Sequence, residues 1–248
     1  MGFYDREYMR EPRRAGGSFG FSLAGHSITT WLIGINVGVF LLDRLLMAAG
    51  FRYGLQVGSA LLGPFGPLEL WGHFSMVTAV QKFQIWRFIT FQFLHADLNH
   101  LIFNMLALYF FGPIVESYLG SRRFVPFYLL CGIGGAALYL ILLMLGLRIG
   151  APWVPLVGAS AGIFGILIAA ALVAPNTMVL FMMILPMPLR TLAWLFIGIA
   201  AYTVIFMGHN AGGEAAHLGG AAIGWLLMQR PQVLDRLRLP GGRGRGRG

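Results

Sequence analysis

The chain has 248 residues, 57% of them hydrophobic and only 11% charged, with a net charge of +9 and a mean hydropathy of +0.73. A water-soluble fold carries roughly a quarter charged residues, so this chain cannot cover a water-facing surface and its solvent must be lipid. The single cysteine, Cys131, excludes an intramolecular disulfide and a cysteine-built zinc site.

A membrane span needs about 20 mostly apolar residues. The first candidate runs from about Ile28 to Gly50, with the adjacent, oppositely charged Asp43 and Arg44 near its far end. From Phe51 to about Leu94 the chain carries Pro64, Pro67, several glycines and Trp71-Gly72-His73, which predicts an interfacial loop with short helices. The second span covers Leu98 to Leu119, with Asp97 as its N-cap and Gly120-Ser121-Arg122-Arg123 as its end. The third covers roughly Phe124 to Leu147. The fourth begins near Ser160 and stops before Pro175-Asn176, short for a full span, so its start is expected inside the membrane. Thr177 to Pro188 is apolar but broken by prolines; the fifth span follows from about Arg190 to Met207 and the sixth from about Ala215 to Gln229.

Six spans put both termini on one side. Arg44, Arg52, Lys82, Arg87 and Arg148 fall on the other, and every remaining Lys and Arg falls with the termini. The positive-inside rule then makes both termini cytoplasmic. Residues 1–27 read as a cytoplasmic N-terminal segment, 28–229 as the six-helix domain with 51–94 as its outer loop, and 230–248 as a disordered basic tail. No cleavable signal peptide or myristoylation signal is legible at the start. The Gly-Arg tail reads as a positive-inside signal and not as a nucleic-acid site.

Ionisable groups inside spans are expensive and point to function. His95, His100 and His217 all fall toward the outer half of the bundle, as does Ser160. Asn104 follows His100 by one helical turn on the same face. Ser160 lies in Gly158-Ala159-Ser160-Ala161-Gly162, and Gly158 and Gly162 form a small-residue face, as Gly220 and Gly224 do after His217. Two such faces let helices touch and bring Ser160 within reach of His217, the arrangement of an activated nucleophile. The bland alternative for Ser160 is an N-cap. Two other readings compete. Glu214-x-x-His217 has the spacing of a di-iron carboxylate motif, but no second copy exists, and no zinc motif is present. A proton-relay transporter would leave the Gly-Ala-Ser-Ala-Gly run without a role.

From about Trp86 to Gly224 the sequence resembles the rhomboid intramembrane proteases. The resemblance rests on Trp86-Arg87, His95-x4-His100-x3-Asn104, Gly112-x3-Glu116-x3-Gly120, Gly158-Ala159-Ser160, and Ala216-His217-x-Gly219-Gly220, in that order. It implies an all-α, six-transmembrane-helix rhomboid bundle and a serine endopeptidase that works with a Ser160–His217 dyad, no third carboxylate, no metal and no cofactor. It further implies that His100, Asn104 and the Ser160 N–H form an oxyanion hole and that His95 organises the surroundings. Arg87 and Glu116 would be structural, residues 208–214 (with His209, Asn210 and Glu214) a loop capping the site, and the fifth span a lateral gate. Some family members carry Tyr four residues after the nucleophile; here Phe164 stands there, able to stack on His217 but lacking the hydroxyl.

The partners so implied are transmembrane protein substrates, unwound locally at helix-weakening residues and cleaved in a water-filled cavity open to the outside. The default location is a bacterial inner membrane. A catalytically silent relative that binds membrane clients is the alternative; this chain keeps both Ser160 and His217, which such relatives usually lack. Neither the oligomeric state nor the substrate is legible.

Overall fold

The computed structural model describes residues 27–57, 60–181 and 184–237. The basic residues Arg6, Arg10, Arg13, Arg14, Arg238, Arg243, Arg245 and Arg247 lie outside them. The described chain is mostly helical. Its main helices are α1 (Ile28–Ala48), α4 (Leu98–Leu119), α5 (Ser121–Met144), α6 (Ser160–Val173), α7 (Leu189–Ile205) and α8 (Ala211–Gln229), with short helices α2 (Pro67–Gly72) and α3 (Arg87–Thr90) before α4.

Their ends follow local chemistry. Ser27 caps α1 by accepting from Thr30 N, and Asp97 caps α4 by accepting from His100 N at 2.9 Å. Gly120, at φ +78°, ends α4 and turns directly into α5. The six helices fall within a few residues of the expected spans.

By length and composition, α1, α4 and α5 are able to cross a membrane. Helix α6 has 14 residues, about 21 Å at 1.5 Å per residue, against roughly 30 Å of hydrocarbon. It packs against α4, α5, α7 and α8 and is the hub of the bundle. Large apolar side chains cover the outside, among them Phe103 on α4 and Trp194 on α7, 68% and 75% exposed. Such a surface belongs in lipid. The core between helices is built from Leu108, Val115, Phe124, Phe127, Tyr128 and Ile166, all fully buried. Cys131 is a packing residue, buried against Gly165.

Helices α6 and α8 meet through small residues, but not the expected pair of faces. Gly220 lies against the Ala161 carbonyl, and a Cβ on Gly224 would stand 2.6 Å from Gly165 Cα. Gly162 instead faces the Tyr128 ring of α5. Gly158 precedes the helix and contributes nothing to the contact. The face on α6 is therefore Ala161-x3-Gly165, one turn removed from the spacing that draws the eye.

The loop between α1 and α4 holds an antiparallel hairpin, β1 (Tyr53–Val57) with β2 (Ala60–Phe65), then α2, a π-helical turn over Met76–Gln81, and α3. Asp43 of α1 accepts from Leu68 N at 2.8 Å, fixing α2 to α1. The Arg87 guanidinium donates to His73 O, Leu70 O and Gln84 Oε1, tying the loop into one piece. Trp86 stacks on Trp71, ring centroids 5.7 Å apart. Two backbone bonds between Phe74 and Leu156 pin the loop to the segment before α6.

At the other end, Glu116 accepts from Ile28 N, Thr29 N, Thr29 Oγ1 and Ser121 Oγ, gathering the starts of α1 and α5 onto α4. A second hairpin, β3 (Met178–Phe181) with β4 (Leu185–Pro188), connects α6 to α7 where the sequence shows only a broken apolar stretch. The tail read as disordered from residue 230 starts instead with a 3₁₀ helix over Pro231–Leu237. Leu234 is fully buried, and Asp235 pairs with Arg123. Leu234 is the residue by which that segment packs on the bundle, while Val233 and Leu237 stay exposed.

Candidate active site

Ser160 is the first residue of α6 and Ala159 its N-cap. The Ser160 hydroxyl makes no capping bond, so the bland reading of this serine fails. Its Oγ stands 2.8 Å from Nε2 of His217, one and a half turns into α8. The contact follows from the glycine faces: only side chains this small let two helices come close enough for a serine and an imidazole to touch without reaching.

The imidazole is held on two further sides. Phe164 stacks flat on it, with centroids 4.2 Å apart and planes 10° from parallel. Glu214 places Oε2 2.9 Å from Nδ1. The cap expected over 208–214 is shorter than that, because α8 begins at Ala211 and Glu214 belongs to its first turn. Asn210, in the left-handed region at φ +62°, makes the entry.

On the other side of Ser160, Gly158 has φ +128°, a conformation that side chains resist. A Cβ there would meet His100 Nε2 at 2.7 Å and Ser160 Oγ at 3.5 Å. The missing Cβ of Gly158 thus leaves space that the His100 ring occupies. Gly158 N donates to Phe91 O, fixing the turn. Asn104, one turn along α4, is buried, and its Nδ2 has no hydrogen-bond partner among the described residues. A buried amide left without an acceptor is costly, and this donor stands one helical turn from His100 on the same helix. The Ser160 N–H, at the first position of its helix, lies outside the helical ladder.

His95 is buried with its ring 5.0 Å from that of His100, edge to face. Neither of its nitrogens has a partner among the described residues. Arg44 donates to His95 O and Ala96 O, steadying the lead into α4. Trp86, Arg87 and Glu116 stand away from the serine, in the loop and at the opposite end of α4. His209, before α8, is exposed. No group of three or more His, Cys, Asp or Glu side chains suited to a metal occurs among the described residues.

The Rhomboid domain family model matches residues 82–229, more than half of the chain. The chain belongs to the rhomboid family. It is 33% identical over 118 residues to RHOMBOID-like protein 1 of Arabidopsis thaliana, covering 47% of this chain and 28% of that one. To RHOMBOID-like protein 12, mitochondrial, of the same plant it is 29% identical over 152 residues, 57% of this chain and 45% of the relative. Rhomboid protease GluP of Bacillus subtilis (strain 168) is 38% identical over 97 residues, 39% of this chain and 17% of the relative. This rhomboid thus spans less than half the length of each of these relatives. As a member of the family it is an integral membrane protein. The relatives come from a plant, including its mitochondria, and from a bacterium, and do not single out one membrane.

Sequence reasoning missed the contact of Glu214 with His217. Its signal is the i, i+3 spacing, which fits a metal-ligand pair equally well.

Proposed function

We propose that this rhomboid is an intramembrane serine endopeptidase that cleaves transmembrane helices of membrane proteins, with Ser160 as nucleophile and His217 as general base. The observation that carries the reading is the 2.8 Å approach of Ser160 Oγ to His217 Nε2 inside an apolar bundle. A serine is a weak nucleophile until a base takes its proton. In this reading the Ser160 proton passes to Nε2 as Oγ attacks the scissile carbonyl. The oxyanion of the tetrahedral intermediate faces the Ser160 N–H, His100 and Asn104 Nδ2. The imidazolium then protonates the leaving amine, and water, activated by the same imidazole, releases the acyl group.

The same reading carries a six-span bundle with both termini cytoplasmic, set in a bacterial inner membrane, and organised as residues 28–229 with 51–94 outside. His95 would shape the surroundings of His100, and α7 would be the side by which a substrate helix enters. No cofactor is required by any step.

Fluorophosphonate labelling of the purified protein, with Ser160→Ala and His217→Ala alongside, tests it. Labelling of the native protein, abolished in both variants, is expected, together with cleavage of a model transmembrane helix in liposomes. Absence of both in folded protein would overturn the reading in favour of a silent client-binding relative.

A further inference from the structure

A base that hydrogen-bonds a nucleophile through Nε2 must carry its own proton on Nδ1. The partner of Nδ1 therefore decides whether the ring arrives in the working tautomer. Phe164 cannot decide it: a phenyl face fixes the plane of the ring and leaves both tautomers equal. Glu214 can. A carboxylate has only acceptors, so its Oε2, 2.9 Å away, demands a proton on Nδ1 and leaves Nε2 free to accept from Ser160 Oγ.

The position of Glu214 is built, not incidental. Ala211 and Ala215, on either side of it in the first turn of α8, are buried. Gly212 lies so close to the Tyr139 ring and Ile149 O that a Cβ would meet them at 2.8 and 2.9 Å. The backbone that carries Glu214 is thereby locked against α5 and the segment after it. An acidic residue in a first helical turn also complements the helix dipole, but that role is satisfied by any rotamer. Here the side chain turns to the imidazole. The two side chains are only 16% and 21% exposed, so charge on the carboxylate is felt by the ring without full screening by water.

We propose that Glu214 is a positioning residue for the reaction: it holds His217 in the Nδ1–H tautomer and stabilises the imidazolium that forms when the Ser160 proton moves to Nε2, turning the dyad into a Ser160–His217–Glu214 triad. The inference rests on the reading of Ser160 and His217 as nucleophile and base. No bond is made or broken at Glu214, and the Nδ1 proton stays on the ring throughout, as in triads whose carboxylate is not itself protonated.

Glu214→Gln keeps the shape of the side chain and removes its charge and its demand for a donor. The test has two readouts on native and E214Q protein in detergent. In protein carrying ¹⁵N-histidine, a downfield proton resonance bonded to His217 Nδ1 is expected in the native form and lost in E214Q. In cleavage of a model transmembrane helix, E214Q is expected to lower kcat about 10- to 100-fold with KM within twofold and an unchanged Tm. A native His217 protonated on Nε2 alone, or an E214Q variant that keeps the native kcat while the native protein reacts at Ser160, overturns the proposal and leaves the dyad standing. A native protein inert at Ser160 sinks the protease reading, and this proposal with it.

Discussion

Phe164 lies flat against His217, 4.2 Å between ring centroids. The stack orients the imidazole without a hydroxyl. Aromatic pairs of this kind are worth about 0.5–1.5 kcal/mol beyond area burial. Phe164→Ala is therefore expected to lower kcat roughly 2- to 10-fold, while Phe164→Tyr, which keeps the ring, stays within twofold of native. Steady-state cleavage in liposomes, with Tm recorded for each variant, checks both.

Gly158 combines a positive φ with a Cβ position occupied by His100. Gly158→Ala should push His100 away from Ser160 while the bundle stays folded. Misplacement of a group by about 1 Å can cost on the order of 100-fold in rate, and a loss of that size in kcat is expected. An alanine variant with native kcat would show that His100 is not needed beside the serine.

Asn104 offers a buried Nδ2 with no partner among the described residues. Loss of one oxyanion donor typically lowers kcat on the order of 100-fold or more. Asn104→Ala should therefore cut kcat on that scale. It should leave thermal stability equal or raised, because a buried unsatisfied amide disappears with it. A stability loss with little kinetic effect would point to a structural asparagine.

The approach of α6 to α8 depends on Gly220 against the Ala161 carbonyl. Gly220→Val must wedge these helices apart, at a cost of about 1–3 kcal/mol for overpacking, and must lengthen the Ser160–His217 contact. Lower Tm and lost fluorophosphonate labelling are expected together. Gly198, with nothing within 4 Å of its Cβ position among the described residues, is the control that should tolerate alanine in both assays.

Two groups of the loop between α1 and α4 change stability with pH in opposite senses. Burial raises the Glu69 carboxyl to about 7, with Arg44 opposing and Asp43 adding to the shift. Burial also lowers His73 to about 4, helped by Arg87. The stabilisation linked to Glu69 is present below its ordinary value of 4.5 and lost as pH rises through about 7. That linked to His73 is present above 6.5 and lost as pH falls toward about 4. Between the two ordinary values they oppose each other. Glu69→Gln should thus give a Tm that climbs from pH 4.5 to 6.5 relative to native, and His73→Asn one that falls over the same window. Parallel curves for both variants would show that neither group is linked to folding.

Much of this was legible in the residues. Asp97 and Gly120 mark the ends of α4 to the residue because a cap and a left-handed stop are local chemistry. Ser160, His217, His100 and Asn104 stood out because polar groups are rare in apolar helices. What stayed hidden depends on geometry that spacing does not encode. Gly158 and Gly162 look like one face, yet a positive φ takes Gly158 out of the helix altogether. Asn210 enters α8 through the left-handed region before Gly212 and Gly213, so the helix start escapes notice and Glu214 reads as loop. The hairpin β1–β2 carries glycines and a proline that weaken any strand signal, and Pro231–Leu237 buries the single side chain Leu234, which leaves no periodic pattern to read.

The shortness of α6 sets a ruler. If its last residue reaches the inner boundary of a bilayer of roughly 30 Å, a helix of about 21 Å leaves its first residue some 9 Å beneath the outer boundary. That first residue is Ser160. A substrate helix standing alongside rises 5.4 Å per turn, so the bond presented to Ser160 falls about two turns in from its outer end. Selection would then act through depth as well as through side chains. Lengthening a substrate's outer apolar end by one turn should shift the cut by about four residues toward that end, and a thicker bilayer should move it the opposite way.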